Sequence, residues 1–234
     1  YLKEAGFHSF ACGIENGSNT ALKRMNKSAS LEDNKRALDI LKKHGIYVQA
    51  GFILFDDNTT FEELKENYEF LREYDLIITK GIFSEMFAAD GTLYTEKLKK
   101  EDKIVKNDVY DNNKYEIVDP KVKLTYNALK KWHKSHMKLY DMIIDPISAP
   151  KAIDETGEKS FYDLFYQLKL KDLDFMKMVL DDVEREITER ELNEKVIAQI
   201  IGNSEFYSSI NRSGQALCEK YNLNFDGKEN PFIR

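Results

Sequence analysis

Cysteine and proline are scarce in this chain of 234 residues, with two of the first and four of the second. Cys12 and Cys218 lie near opposite ends, which excludes a disulfide framework or a CxxC metal site and suits a reducing, cytoplasmic compartment. Four prolines exclude a collagenous or proline-rich linker protein. No apolar run approaches the roughly 20 residues that a membrane helix needs, and residues 1–10 lack the apolar core of a signal peptide. Positive charge is not in excess either. Lys and Arg number 35 against 41 Asp and Glu, a net charge of -6, which argues against nucleic acid as principal partner. GxGxxG, GxxxxGK[ST], GxSxG and HExxH are all missing. What is present is an ordinary globular composition, 42% hydrophobic and 32% charged, in a chain long enough for one or two cores.

Residues 1–100 alternate short apolar runs with amphipathic helical patterns, the signature of βα units and a parallel sheet. Residues 9–15 read as a strand with a polar end, and Asn16-Gly17-Ser18-Asn19 as turn chemistry before a short helix over 20–25. Ser30-x-x-Asp33 resembles a capping box, with Leu31, Ala37, Leu38 and Leu41 following at helical spacing until His44-Gly45. Residues 46–55 form an almost continuous apolar run, as expected of a strand buried on both faces. Thr60-x-x-Glu63 caps a further helix with Leu64, Tyr68 and Leu71 inward, and residues 76–87 read as a third strand interrupted by Lys80 and Gly81.

The second half has another texture. Residues 99–119 are polar, with 111–114 as an exposed loop or hairpin tip. Asp119-Pro120 starts a helix that the spacing ends at Ile144, before Asp145-Pro146. Residues 147–160 read as a linker. Helical patterns then cover 161–180, 188–201 and 213–221, and the tail from Asn224 reads as irregular. This divides the chain into 1–100, a connecting loop and long helix over 101–146, and a helical region over 147–234.

Four stretches in order resemble one family. Leu2-Lys3-x-Ala5-Gly6, Gly13-Ile14-Glu15-Asn16-Gly17-Ser18 and Leu22-Lys23-x-Met25-Asn26-Lys27 are similar to the LxxAG, GIESGS and LxxxNK segments of radical S-adenosylmethionine (SAM) enzymes. Residues 51–60 resemble the next strand and its exit loop, often FDPxTT in the cobalamin-binding branch, and Gly91-Thr92-x-Tyr94 resembles the later GTxLY segment. The resemblance implies an α/β fold: the second half of a (β/α) partial TIM-type barrel, followed by a mostly helical C-terminal region. It also implies a parent enzyme that cleaves SAM reductively at a [4Fe-4S] cluster. Such a parent would abstract hydrogen from a small-molecule substrate, with cobalamin as a further cofactor for methyl transfer or ring formation.

The family's CxxxCxxC cluster loop has no counterpart in this chain, nor do the earlier strands or a cobalamin domain. By resemblance, the chain is therefore a C-terminal fragment or the product of a truncated gene, inactive alone, and catalytic residues stay unassigned. Asp57 replaces the proline of FDPxTT, which is expected to loosen the turn. The cofactor-binding set implied by the family is Glu15, Asn16, Lys27, Gly51, Ile53 and Met86. Glu15 would accept hydrogen bonds from the ribose or polar head of SAM, unless it merely favours the adjacent helix N-terminus. Lys27 would face the SAM carboxylate or simply be a solvated lysine. Gly51 and Ile53 would form the adenine floor. Met86 and Phe87 would close the other side, with core packing the stronger reading for both. Asp56 would contact substrate or, preferably, cap the helix that begins after Thr60.

His133 and His136, three apart beside Trp132, have a metal-chelating spacing but no third ligand, and Lys130, Lys131, Lys134 and Lys138 surround them. The lysine run including Lys121 and Lys123 reads as a solvated face. The alternative to an enzyme fragment is a non-catalytic α/β interaction scaffold whose helical half binds another chain; a metal-independent barrel enzyme is a distant third. In either main reading an exposed sheet edge offers a route to a homo-oligomer.

Overall fold

The computed structural model describes residues 1–105, 113–148 and 153–223. Residues 111–112 of the hairpin tip expected at 111–114, part of the expected linker and the tail from Asn224 lie outside them. Two compact units are present, one of residues 1–79, 83–127 and 183–185, the other of 80–82, 128–182 and 186–234.

The first unit carries a parallel sheet in the order β1 (Ser9–Cys12), β2 (Tyr47–Ala50), β3 (Ile77–Ile78). Helices α1 (Asn19–Arg24) and α2 (Leu31–Lys43) connect the first two strands, and α3 (Phe61–Glu73) the second pair. The register aligns Phe10 with Val48 and Val48 with Ile77 on one face, and Ala11, Gln49 and Ile78 on the other. Val48 and Ile77 are fully buried, as is Ile78 on the other face, and α2 packs on β2. The mixed α/β class is as expected. The described residues form an open three-stranded sheet, which does not by itself make a barrel.

The strands are shorter than their apolar runs. Regular pairing stops at Cys12, Ala50 and Ile78, after which one isolated parallel bridge joins Phe55 to Glu85. Gly81 shows why the third run breaks early. Its φ of 83° suits glycine, and an added Cβ would lie 2.4 Å from His133 Nδ1. Both expected capping boxes are formed, Ser30 with Asp33 on α2 and Thr60 with Glu63 on α3. Leu64, Tyr68 and Leu71 are buried. On α2 the buried positions are Asn34 and Leu38, with Leu31 and Leu41 half-buried and Ala37 exposed, because 3.6-residue spacing from Leu38 skips position 37.

The GTxLY-like segment opens a helix the sequence reading missed, α4 (Leu93–Lys100), with the Thr92 side chain accepting from the Thr95 N–H. Within the polar stretch that follows, β4 (Ile104–Val105) pairs antiparallel with β5 (Lys114–Tyr115). Helix α5 (Pro120–Ser148) starts as expected, Asp119 accepting from the N–H groups of Lys121 and Val122. It does not stop at Ile144 but continues through Pro146. A proline costs one backbone hydrogen bond there, and burial of Met142, Ile143 and Ile144 around the last turns offsets it.

The loop after the second strand is the anchor of the first unit. Asp56 and Asp57 are almost wholly buried, as is Glu63 of α3. Arg24, the last residue of α1, meets two of them: Nε lies 2.8 Å from Asp56 Oδ2, and Nη1 and Nη2 each lie 2.8 Å from a Glu63 oxygen. Thr20, at the start of the same helix, donates to Glu63 Oε1. Asp57 accepts from Lys103 Nζ at 2.7 Å and from Tyr94 Oη at 3.2 Å. The turn expected to be loosened by Asp57 is therefore pinned by it, because a buried carboxylate is tolerable only when paired. Burial opposes the charge on Glu63, but Arg24, Thr20 and the Thr60 N–H outweigh it and hold its pKa below 4.5.

The second unit is helical: the remainder of α5, α6 (Glu155–Glu184), α7 (Glu189–Gly202) and α8 (Ser204–Lys220). Helix α6 takes in Gly157, which the sequence reading placed in a linker, and α8 starts nine residues before the expected 213, because Phe206, Tyr207 and Ile210 continue its apolar face. At its centre Asp172 accepts from Trp132 Nε1 at 2.7 Å, His136 Nε2 at 2.9 Å and Tyr140 Oη at 2.6 Å. Trp132 stacks on Phe175 at 4.0 Å, and His136 on Tyr207 at 4.5 Å. No helix among the described residues is long and apolar enough to cross a membrane.

Two predictions follow from these buried acids. Glu63→Gln should cost about 3 kcal/mol at pH 7, since it leaves Arg24 partly unpaired. Because the folded pKa of Glu63 is lowered, its contribution is complete above 4.5 and fades as pH falls through the lower folded value. Denaturant titrations from pH 7 to pH 3 should show the gap between wild type and variant closing; a constant gap would count against the clamp. Asp172→Ala strands buried donors and should cost about 3–5 kcal/mol in the second unit. The single tryptophan, Trp132, reports that unfolding by fluorescence, and a loss below about 1 kcal/mol would show the cluster to be incidental.

Candidate functional site

Just beyond β1 the chain makes a tight turn, the Ile14 N–H donating to the Cys12 carbonyl at 2.9 Å, and the two strand tips are then joined directly. The Ile53 N–H donates to the Glu15 carbonyl at 2.7 Å, and Asn16 Nδ2 donates to the Ile53 carbonyl at 2.7 Å. Asn16 Oδ1 accepts from the Ser18 N–H at 2.8 Å, so both ends of this buried amide are engaged with backbone. Gly17 follows because the chain passes over α3: an added Cβ would lie 2.6 Å from the Phe70 side chain, and the Gly17 N–H donates to Asn67 Oδ1 at 2.7 Å.

The Glu15 carboxylate is mostly buried and folds back over Gly13, whose missing Cβ leaves it room. Oε1 accepts from Lys27 Nζ at 2.6 Å. Oε2 is buried and has no hydrogen-bond partner among the described residues. That oxygen is chemically conspicuous, since an unmatched buried acceptor costs roughly 1–3 kcal/mol.

Lys27 reaches Glu15 by way of a C-terminal turn on α1. The Lys27 N–H donates to the Leu22 carbonyl at 3.0 Å and the Asn26 N–H to the Lys23 carbonyl at 3.0 Å, with Asn26 at φ 57°. These are the two bonds of a Schellman motif with asparagine in the left-handed position.

Gly51 is exposed, with no atom within 4 Å of where a Cβ would stand, and Ile53 two residues on is half-buried. The Ile53 N–H bond to Glu15 places this stretch beside the Glu15 tip. At the third strand's end the Met86 N–H donates to the Phe55 carbonyl at 2.8 Å, and Tyr115 Oη donates to the Met86 carbonyl at 3.1 Å. Met86 is half-buried; Phe87 is 58% exposed and not a core residue, since it stands on the opposite side of the chain from Met86.

Asp56 does not cap α3, a role Thr60 takes; it braces its own turn through the Asn58 N–H and Thr59 hydroxyl and binds Arg24. His136 points at Asp172, and no group of three or more His, Cys, Asp or Glu suited to a metal occurs among the described residues. Lys121, Lys123, Lys131, Lys134 and Lys138 are exposed on α5.

Around the same tips stand residues to which, Tyr94 apart, no sequence motif pointed. Glu85 accepts from Tyr126 Oη at 2.6 Å and Lys114 Nζ at 3.0 Å. Tyr126 meets the Phe55 ring edge-on at 5.2 Å, and Tyr94 meets Tyr115 likewise at 5.8 Å. Burial pushes the Tyr94, Tyr115 and Tyr126 phenols well up, so they act as neutral donors. The only sequence signal for them was the tyrosine of GTxLY.

Residues 1–71 match the model of the radical SAM superfamily. The anaerobic magnesium-protoporphyrin IX monomethyl ester cyclase of Rubrivivax gelatinosus is 32% identical over 128 residues, 52% of this chain and 21% of that protein. The 4'-phospho-dehydrooxetanocin synthase of Priestia megaterium is 38% identical over 79 residues, 33% of this chain and 11% of that protein. The chain thus spans between about a tenth and a fifth of these relatives' length. Among solved structures, the apo form of the cobalamin-dependent S-adenosylmethionine radical enzyme OxsB aligns with a TM-score of 0.56 at 16% identity, covering 92% of this chain and 41% of that one. Its form with aqua-cobalamin and S-adenosylmethionine gives 0.55 at 17%, covering 97% and 43%. At such identities the likeness is one of fold. Over residues 1–71 the chain is thus similar to the radical SAM superfamily, and its fold resembles that of OxsB.

Proposed function

We propose that this chain supplies one wall of the SAM cleft, and part of the substrate cleft, of a radical SAM enzyme. The observation that carries the reading is the buried, unpartnered Glu15 Oε2, beside the open floor at Gly51 and Ile53. A carboxylate oxygen held free in this way is an acceptor waiting for a donor, and ribose hydroxyls or an ammonium group supply one. Lys27 neutralises the other oxygen and offers its ammonium to the ligand's carboxylate. Gly51 admits a flat base closely, Ile53 and Met86 give it apolar contact, and Asn16 contributes by stapling the two strand tips.

In the parent protein a [4Fe-4S] cluster would supply the electron for SAM cleavage. Cys12 and Cys218 are too few to hold it, so no step of this chain's own is routed through iron. The sheet offers β1 as an edge, flanked by the stacked Phe7 and Phe10, with ring centroids 5.4 Å apart. In this reading the parent extends the sheet there into a partial barrel; a second copy is the other occupant such an edge could take. A small-molecule substrate and cobalamin belong to the parent by the same argument, and no residue here is assigned to either.

A second reading, an interaction scaffold, is favoured by the exposed pairs Tyr166 with Leu170 on α6 and Ile197 with Ile201 on α7, each one helical turn apart. One titration separates the two. The full 234-residue chain should bind S-adenosylhomocysteine, and Glu15→Ala should weaken that binding about tenfold, the worth of a hydrogen bond to a charged group. The thermal midpoint should not fall, because the substitution also removes an unsatisfied buried oxygen. Loss of stability with no binding by wild type would leave only the scaffold.

A further inference from the structure

We infer that Arg24 is the positioning residue of the nucleoside site: clamped between Asp56 and Glu63, it fixes the turn that holds Lys27 against Glu15. The inference rests on the cleft reading given above, and it names a residue that touches neither the floor nor the Glu15 carboxylate.

The Lys27–Glu15 pair cannot position itself. Lys27 is 41% exposed, and a half-solvated lysine pair of this kind contributes little and tolerates many side-chain geometries. What places Nζ is therefore the backbone of Lys27, and that backbone is tied to α1 by the two hydrogen bonds of the Schellman turn. Helix α1 has six residues, too few to hold its own direction in water. Its side chains hold it instead. Thr20 at its start and Arg24 at its end both bind Glu63, and Arg24 alone also reaches Asp56. Burial disfavours the charge on Arg24, yet Glu63 and Asp56 overcome that and raise its pKa, so the guanidinium of the clamp stays charged.

The geometry is that of a planar fork: two parallel N–H groups on one carboxylate and the third direction on another. A lysine carries the charge but not the fork, so it can satisfy one carboxylate and must leave the other short. The mechanical route then runs from the exit loop and the start of α3, through Arg24, into the last turn of α1, over Asn26 to Lys27, and so to Glu15. If the fork is lost, the turn is free to rock. Lys27 then leaves Oε1, and the second oxygen loses the fixed direction that makes it an acceptor for one ligand.

Two readouts on the full chain test this. The first is the acylation rate of each lysine by an N-hydroxysuccinimide ester, followed by mass spectrometry. Arg24→Lys and Arg24→Gln should raise the Lys27 rate at least fivefold while exposed Lys131 and Lys134 on α5 keep theirs. The second is S-adenosylhomocysteine binding, expected to weaken about tenfold in both variants at a temperature where both are folded. Leu38→Val, a destabilising change in the α2 core, should alter neither. An unchanged Lys27 rate in Arg24→Lys overturns the inference, as does an equal rise in Leu38→Val, which would mean general loosening. Should Arg24→Gln fail to fold, Arg24→Lys decides alone. A faster Lys27 in a chain whose wild type binds no nucleoside would sink the cleft reading and leave the hold of Arg24 on Lys27 standing.

Discussion

Three carboxylates, those of Asp56, Asp57 and Glu63, are withdrawn from water within eight residues of one another, and the first unit is organised around making that tolerable. A buried anion without a partner is far more costly than any single apolar contact is favourable. Each must therefore be met by a cation or donor from elsewhere in the sequence. Arg24 comes from α1, Lys103 from the approach to β4, and Tyr94 from α4. The exit loop of the second strand thereby becomes the place where most of the first unit's helical and hairpin elements are tied together, and it lies next to the strand tips. In the proposed reading, stability and site geometry are set by the same few bonds.

The site has the opposite character. Where the anchor satisfies every group, the tip at Glu15 leaves one oxygen unmatched and a glycine floor uncovered. A fold that pairs its other buried acids closely but leaves this one half-served keeps a local cost, of the kind that clusters at binding sites. The contrast with Asp172 is instructive. That residue is also buried, yet its oxygens are filled by Trp132, His136 and Tyr140, so it is a structural hub of the helical unit with nothing left to offer a ligand.

Legibility followed the range of the interaction. The capping boxes at Ser30 and Thr60 and the inward stripe of α3 were readable because both partners lie within one helix. The hairpin of β4 and β5 was readable only as turn chemistry, and α4 was hidden because Lys97, Lys99 and Lys100 mask its short apolar face. Strand lengths were overestimated because an apolar run reports burial, whereas a strand needs a neighbour in register, and Gly81 removes that neighbour for the third run.

The sequence by itself determined the α/β class, the capped helices α2 and α3, and the motif trail from Leu2 to Tyr94 that resembles the superfamily, because each is written in local spacing and turn chemistry. Only the tertiary structure decided that Asn16 spends its amide on backbone, that Asp57 pins its turn, and that Arg24 is the clamp. These roles depend on partners that lie 32 to 46 residues away along the chain, and no local pattern specifies which distant charge will be folded against which.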